Sequence, residues 1–469
     1  MTSPETALVI GGGVAGLAAA WRLAEAGVRV WLVERAPRLG GLVETERPVP
    51  SVLLEHGADA VLADKPGGMD TLRALGLAEG LVVGGRAPKR AFVARGDALV
   101  PMPPGLFAFE RKALLSMLRT PLLSPRAKLR LGLELLTPRS DAPDESVASF
   151  FARRLGPDVE AALVAPMVRG IFGAESSVLG VRSVFPKLAA MEDGWGSVGL
   201  ALLLAPRAPR GHGLLSLAQG MDAIPAALAT HAARAGAKLA TGLGARSLAR
   251  TPRAVRVTLD DGSTIDADAA VIASDVGTAA RLVAPLSSTL GDELDGIDAT
   301  DAEVVSLVYA RRAIDHPLDG TGFVVEGTDR RTVACTFASE KWHGRAPEDR
   351  AVFRCVLRRD ATLSERDLVE AAHEELRVVL SIADRPSITR IRRRRRALPV
   401  YGVGHRERIA RSRGAAADIG RVALAGNYLG GVGVPDAISA GLGAASALLG
   451  EGAHVEAVAA EPPRAAARA

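Results

Sequence analysis

Cysteine is nearly absent: Cys335 and Cys355 are the only two in 469 residues, which excludes a disulfide framework in a chain of this length. No Cys/His cluster has metal-ligand spacing, so no metal centre is expected, and the free thiols suit a reducing compartment. Lysine is scarce as well, supplying seven of 58 basic residues. The arginine excess beside abundant alanine suggests a GC-rich genome, so the net charge of +5 and the pI near 9.5 are discounted as a nucleic-acid signal. No basic leader precedes an apolar core, because Glu5 stands before the short run Ala7 to Ile10 and glycines follow at once. No signal peptide is expected. Long hydrophobic runs are missing too. Val422 to Gly450 carries Asp436 as its only charge, but Gly430, Gly431, Gly433 and Pro435 interrupt it. The helix-like remainder from Ala437 is shorter than the roughly 20 residues a membrane span needs.

What is present is close to the soluble average, 48% hydrophobic and 24% charged, so disorder can only be local. At about 150 residues per domain the chain holds about three domains' worth of core, too much for a small peptide-binding module. Ala7 to Ile10, a glycine turn, an Ala/Leu-rich helix to Ala26 and Val28 to Val33 make a βαβ unit. From Pro101 to about Met191 the pattern is helical with frequent proline. Ser124-Pro125 opens one helix, and Asp141-Ala-Pro opens another whose Val147, Phe150, Phe151 and Leu155 share a face. Strand alternation returns in Ala254 to Leu259, Thr264-Ile265 and Ala270 to Ser274, then across a β-rich stretch from Val304 to Leu357. The Ala-rich end with Pro462-Pro463 reads as a disordered tail.

Gly11-x-Gly13-x-x-Gly16, with Gly12, Val14 and Ala15 between, follows a strand and opens a helix, and the acid Glu34 ends the next strand. That context marks a dinucleotide fingerprint: glycines let the backbone approach a pyrophosphate, the helix start presents N–H groups, and the carboxylate accepts from ribose hydroxyls. Arg35 and then Arg38-Leu39-Gly40-Gly41-Leu42 continue it. An arginine here can reach the diphosphate, and the paired glycines let the chain cross it closely. This continuation resembles the flavoprotein group of amine oxidases, phytoene desaturases and protoporphyrinogen oxidases. Further motifs narrow the likeness: Asp144-Glu-Ser-Val with Phe150-Phe-Ala-Arg-Arg-Leu-Gly156, Arg169-Gly-Ile-Phe-Gly-Ala174, Pro399-Val-Tyr401 with Gly404-His405, and Gly426-Asn427 with Gly431-Val-Gly-Val-Pro-Asp436. Their order and spacing over about residues 6 to 450 are similar to the protoporphyrinogen oxidase family.

The resemblance implies an α/β fold. Its two-dinucleotide-binding-domain (Rossmann-like) FAD domain comprises residues 1–85, 218–285 and 395–452. A β-rich substrate domain takes 86–97, 195–217 and 286–394, a helical insertion 98–194, and the tail 453–469. It implies non-covalent FAD held by Gly11 to Gly16, Glu34, Arg35, Arg38, Gly40, Gly41, Leu42, Gly57, Ala58, Asp59, Ala60, Gly244, Val432, Gly433 and Val434. Ala58-Asp59-Ala60 departs from the family's Gly-Pro-x-Ser, and Gly244 from its common Val. The implied substrate is a flat tetrapyrrole with propionates on one edge, which needs apolar walls and a cation. The resemblance puts that cation at Arg90 and the ring-sandwiching positions at Trp342, Val356 and Leu357, with Gly170 leaving room for a pyrrole. No protein base is demanded, so His405 and Asp436 are read as structural, the latter as a cap or flavin-edge contact. The implied reaction is six-electron oxidation of protoporphyrinogen IX to protoporphyrin IX, with dioxygen reduced to hydrogen peroxide. Coproporphyrinogen III is the alternative substrate. An amine oxidase would want aromatics at the flavin, and the chain has three Tyr. A FAD-binding tetrapyrrole carrier is the non-enzymatic alternative.

Two basic features remain. Six of the seven residues from Arg390 to Arg396 are Arg, without aromatic interleaving, and are read as a solvated strand face rather than an anion or nucleic-acid site. Glu110 to Arg139 carries seven basic and two acidic residues, and Leu106, Phe107, Phe109, Leu114, Leu115, Leu118, Leu122 and Leu123 lie in and beside it. Such a surface lies on anionic lipid or packs on its own domain. A cytoplasmic protein, in one case peripheral on the membrane's cytoplasmic face, is expected. A homodimer and product hand-off to a ferrochelatase are left open.

Overall fold

A computed structural model describes residues 3–88, 90–106, 111–204, 213–252 and 254–451. The tail 453–469 and Phe107 and Phe109 lie outside the described residues. Among these residues, β1 (Thr6–Ile10) and β2 (Arg29–Glu34) pair in parallel inside a five-stranded sheet. Its order is Lys238–Thr241, β2, β1, Ala269–Ile272, Val422–Leu424. Ala7, Leu8 and Val9 are fully buried, as a central parallel strand covered on both faces requires. Helix α1 (Val14–Glu25) covers one face together with a C-terminal helix, Val434–Leu449. The two axes approach so closely that a Cβ on Gly441 would lie 2.0 Å from the Ala15 carbonyl oxygen. The C-terminal helix starts three residues before Ala437, and no described helix is long and apolar enough to cross a membrane.

A hairpin strand, β3 (Thr45–Val49), leaves this domain toward a second sheet. The helical region between them extends beyond Met191 to Leu204. Ser124 caps the helix Pro125–Gly132, its Oγ accepting from Ala127 N at 3.1 Å. The next helix begins at Val147, capped by Ser146, rather than at Asp141-Ala-Pro; its Val147, Phe150, Phe151 and Leu155 are buried together. Helix α2 (Ala165–Phe172) ends at Gly173, whose φ of +66° is the left-handed conformation of a helix stop.

The second sheet has seven strands among the described residues. They include β4 (Ala299–Ala310), β5 (Thr332–Phe337), β6 (Arg350–Leu357) and β7 (Ile388–Pro399), in the order β7, β4, β6, β5, Gly322–Val325, Phe92–Arg95, Ala98–Pro101. Phe353, Cys355 and Leu357 with Phe92, Phe323 and Phe337 face helix α3 (Glu365–Leu380). The opposite face meets α2 and the first domain. The arginine run on β7 is only in part the solvated face expected from sequence: Arg393, Arg395 and Arg396 are exposed, but the alternate positions are not. Arg390, Arg392 and Arg394 alternate along the strand, stay about two-thirds covered, and pair with Glu44 and Glu46 at β3.

Candidate functional site

The cofactor cradle is built by backbone. Gly12 and Gly40 are joined by Gly40 N donating to Gly12 O at 2.8 Å, and Gly13 bridges Gly40. A Cβ on Gly41, at φ +58°, would lie 3.0 Å from Gly13 Cα, so the two glycine pairs cross where any side chain would intrude. Gly11 and Gly16 serve the turn itself: a Cβ on Gly16 would meet Gly11 O at 1.9 Å. Helix α1 starts after Gly13 without a side-chain cap or an acid in its first turn, leaving Val14, Ala15 and their neighbours to present an anion-attracting end. Glu34 is fixed beside it, accepting from Gly12 N at 2.6 Å and Ala36 N at 2.7 Å. Arg35 lies next to Asp260, 3.6 Å away, and Gly244 makes room for that pair, since a Cβ there would be 2.3 Å from Asp260 Oδ2. These features fit a dinucleotide. Arg38 corrects the expectation of a diphosphate contact: its guanidinium is spent on the carbonyls of Leu39, Gly41 and Val43 and on Glu44.

Segment 57–60 rests on the same loop, because a Cβ on Gly57 would lie 1.9 Å from the Leu42 carbonyl oxygen. Its Asp59 accepts from Lys341 Nζ at 2.7 Å and Trp342 Nε1 at 3.2 Å. Burial alone would raise this carboxyl's pKa, but Lys341 and Arg354 outweigh it and hold the group well below the usual carboxylate range. Arg354 also donates to Glu55 O at 3.1 Å and Gly57 O at 2.8 Å, and so ties the segment to β6. Behind it, Arg345 joins Glu55 at 3.3 Å and bonds Ser216 Oγ at 2.6 Å. Val432 and Gly433 lead into the C-terminal helix at Val434, where Asp436 Oδ2 accepts from Gly433 N at 3.1 Å as a cap and pairs with Lys65. His405 is buried, stacks on Tyr401 with centroids 4.5 Å apart and donates from Nε2 to Tyr428 O, so its place is structural.

The substrate-side residues divide. One register row crosses the sheet through Val93, Val324, Ala334, Val356, Val304 and Arg392, and residues paired in this way share a face. Helix α2 lies over that face. A Cβ on Gly170 would be 3.1 Å from Ala334 Cβ, and one on Gly173 would be 3.1 Å from Leu398 Cδ1. Gly170 therefore leaves no open room for a ring; it lets the helix touch the sheet. Val432, Phe172 and Val324 pack against one large apolar cluster, of which Tyr401 is part. Leu357 does not belong to the site: strand alternation sends it to the α3 face with Cys355, opposite Val356. Arg90 does not either. It pairs with Asp319 and stands 5.4 Å from the ring centre of Phe92, on the α3 side. Trp342 is buried and tied to Asp59 through its Nε1. Lys341, Arg345 and Arg354 were missed by sequence reasoning, although Arg354 alternates with Val356 on one face.

The family profile "Flavin containing amine oxidoreductase" matches residues 14–449. The chain belongs to this family. It is an FAD-dependent oxidoreductase. A coproporphyrinogen III oxidase of Bacillus subtilis (strain 168) is 28% identical, with 94% of this chain and 97% of that protein covered. A protoporphyrinogen oxidase of Bos taurus is 30% identical, covering 95% and 98%. A crystal structure from Exiguobacterium sp. 255-15, assigned as a protoporphyrinogen oxidase, superposes with a TM-score of 0.84 at 26% identity over 96% of this chain and 100% of that one.

Proposed function

We propose that this protein oxidises a porphyrinogen to the corresponding porphyrin, protoporphyrinogen IX or coproporphyrinogen III. The observation that carries the reading is the stretch of the row past the α2 contact, where half-buried Val356 and its neighbour Val304 give a floor of small apolar side chains on the face that also carries Arg354, the residue tied to segment 57–60. A flat apolar ring fits such a floor, where bulkier side chains would hold it away. FAD held in the glycine cradle supplies a two-electron acceptor, so six electrons require three turnovers, with three dioxygen molecules leaving as hydrogen peroxide. The protein's own task is to exclude water, hold the ring plane and fix segment 57–60 through Arg354 and the Asp59–Lys341 pair. No side chain is assigned as base, because the ring's own pyrrole N–H groups release protons. The same floor supports either substrate. The Bacillus subtilis relative favours the coproporphyrinogen reading and the Bos taurus relative the protoporphyrinogen one. Supplying each porphyrinogen aerobically and following porphyrin fluorescence and peroxide tests the proposal. Porphyrin at two to one against peroxide, or none above the autoxidation blank, would reject it; one to three is expected.

Peripheral attachment to an anionic lipid surface belongs to the same proposal. Leu115, Leu118, Leu129, Leu133 and Leu136 are exposed on the helical region, among Arg119, Arg126 and Lys128. Flotation with anionic vesicles at low salt should exceed that with neutral ones and fall with salt. Equal recovery from both rejects the attachment.

A further inference from the structure

The register row that forms the apolar floor ends in charge. Val356 stands opposite Val304, and Val304 opposite Arg392. At about 4.8 Å per strand, Arg392 is roughly 10 Å from Val356 along one face. Arg390 and Arg394 flank it on that face, opposite Ser306 and Ala302. With Arg38, four guanidinium groups converge on the two carboxylates Glu44 and Glu46. A latch between β3 and β7 needs matched charge, and the four arginines outnumber the two carboxylates they pair with. The crowding shows at Arg38, whose pKa burial pushes down, with Glu44 and Glu34 opposing and Arg394 and Arg392 adding to the fall. Arg394 makes one side-chain bond, to Glu44, leaving most of the five N–H donors of a guanidinium for another acceptor. Each of the three arginines is about one-third exposed.

We infer that Arg390, Arg392 and Arg394 form a carboxylate-binding ledge at the edge of the ring floor, and that it favours the substrate bearing four carboxylates, coproporphyrinogen III, over the one bearing two. The inference rests on the porphyrinogen reading and supplies what Arg90 does not, a cation set on the floor's own face. The surplus charge is what an anionic ring edge would neutralise, and the planar fork of arginine suits a carboxylate.

The test uses FAD-loaded protein with Arg394→Gln and Arg392→Gln, and with Arg256→Gln as a control that removes the same charge from an exposed pair elsewhere. The KM for coproporphyrinogen III should rise about tenfold or more, the KM for protoporphyrinogen IX less, with kcat within about twofold and FAD content unchanged. Arg394→Lys should restore part of the affinity. Equal KM changes for both substrates, or changes matched by the control, overturn the ledge; so does loss of FAD in step with loss of activity, which would make the arginines part of the cofactor domain's latch. If neither porphyrinogen is oxidised, the functional reading fails and the ledge is judged by binding alone. Coproporphyrin III should then bind the flavoprotein more tightly than its tetramethyl ester, and Arg394→Gln should abolish the difference. Equal affinity of acid and ester in the unsubstituted protein overturns it.

Discussion

Gly41→Ala places a single methyl group at the crossing of the two glycine pairs. Two effects separate there. The first is conformational: at φ +58° a side chain costs about 1 to 2 kcal/mol. The second is steric, since the new Cβ would sit 3.0 Å from Gly13 Cα, and Gly13 cannot withdraw freely while Gly40 N is bonded to Gly12 O at 2.8 Å. Opening the crossing moves the backbone that approaches the diphosphate. Gly76 provides the comparison, with a similar φ of +72° but no heavy atom within 4 Å of its Cβ position. Gly76→Ala should therefore show the conformational cost alone, with FAD retained. Gly41→Ala should lose at least tenfold in FAD affinity, about 1.4 kcal/mol, read from flavin-fluorescence titration of the apoprotein and from the flavin-to-protein absorbance ratio. Its melting temperature should respond less to added FAD, because a ligand at 100 times its Kd stabilises by about 2.7 kcal/mol and this linkage shrinks as Kd rises. If Gly41→Ala binds FAD as tightly as Gly76→Ala, the crossing is not the cofactor cradle.

Asp59→Asn should destabilise the protein by about 3 kcal/mol in urea titrations, because Lys341 and Arg354 lose the carboxylate that balances them, and flavin retention should weaken with it. His405 is held to a pKa of about 4, chiefly by burial, against about 6.5 unfolded. The unfolded chain therefore takes up a proton that the folded chain refuses between these values. His405 costs nothing above about pH 6.5, and stability falls by roughly 3 kcal/mol as pH drops to 4. His405→Gln should show a flatter dependence of the urea midpoint over this range. Arg90→Ala should change the KM for either porphyrinogen less than twofold, since Arg90 stands against Asp319 and Phe92 on the α3 side of the sheet; a tenfold rise would return Arg90 to the substrate site.

The first half of the cofactor site was legible because it is local. Strand, glycine turn, helix and acid lie within 29 residues, Thr6 to Glu34, and each has a backbone reason for its residue type. The substrate side is assembled from distant segments, and there residue type alone misled. Arg90 meets Asp319, and Arg390, Arg392 and Arg394 meet Glu44 and Glu46 more than 340 positions earlier. No local pattern announces such partners. The choice between Val356 and Leu357 was open to a stricter reading, since adjacent strand residues cannot line one face. Gly170 failed for another reason: a glycine absent of side chain signals close approach, and whether ligand or sheet makes that approach depends on Ala334 and Val324, more than 150 residues away.

The most direct test of the account is anaerobic titration of the FAD-loaded protein with chemically reduced porphyrinogen, followed at the flavin absorbance band and by porphyrin fluorescence. The account predicts that the flavin bleaches and that one porphyrin appears for every three flavins reduced. A flavin that stays oxidised while the porphyrinogen remains bound or unconverted would contradict it.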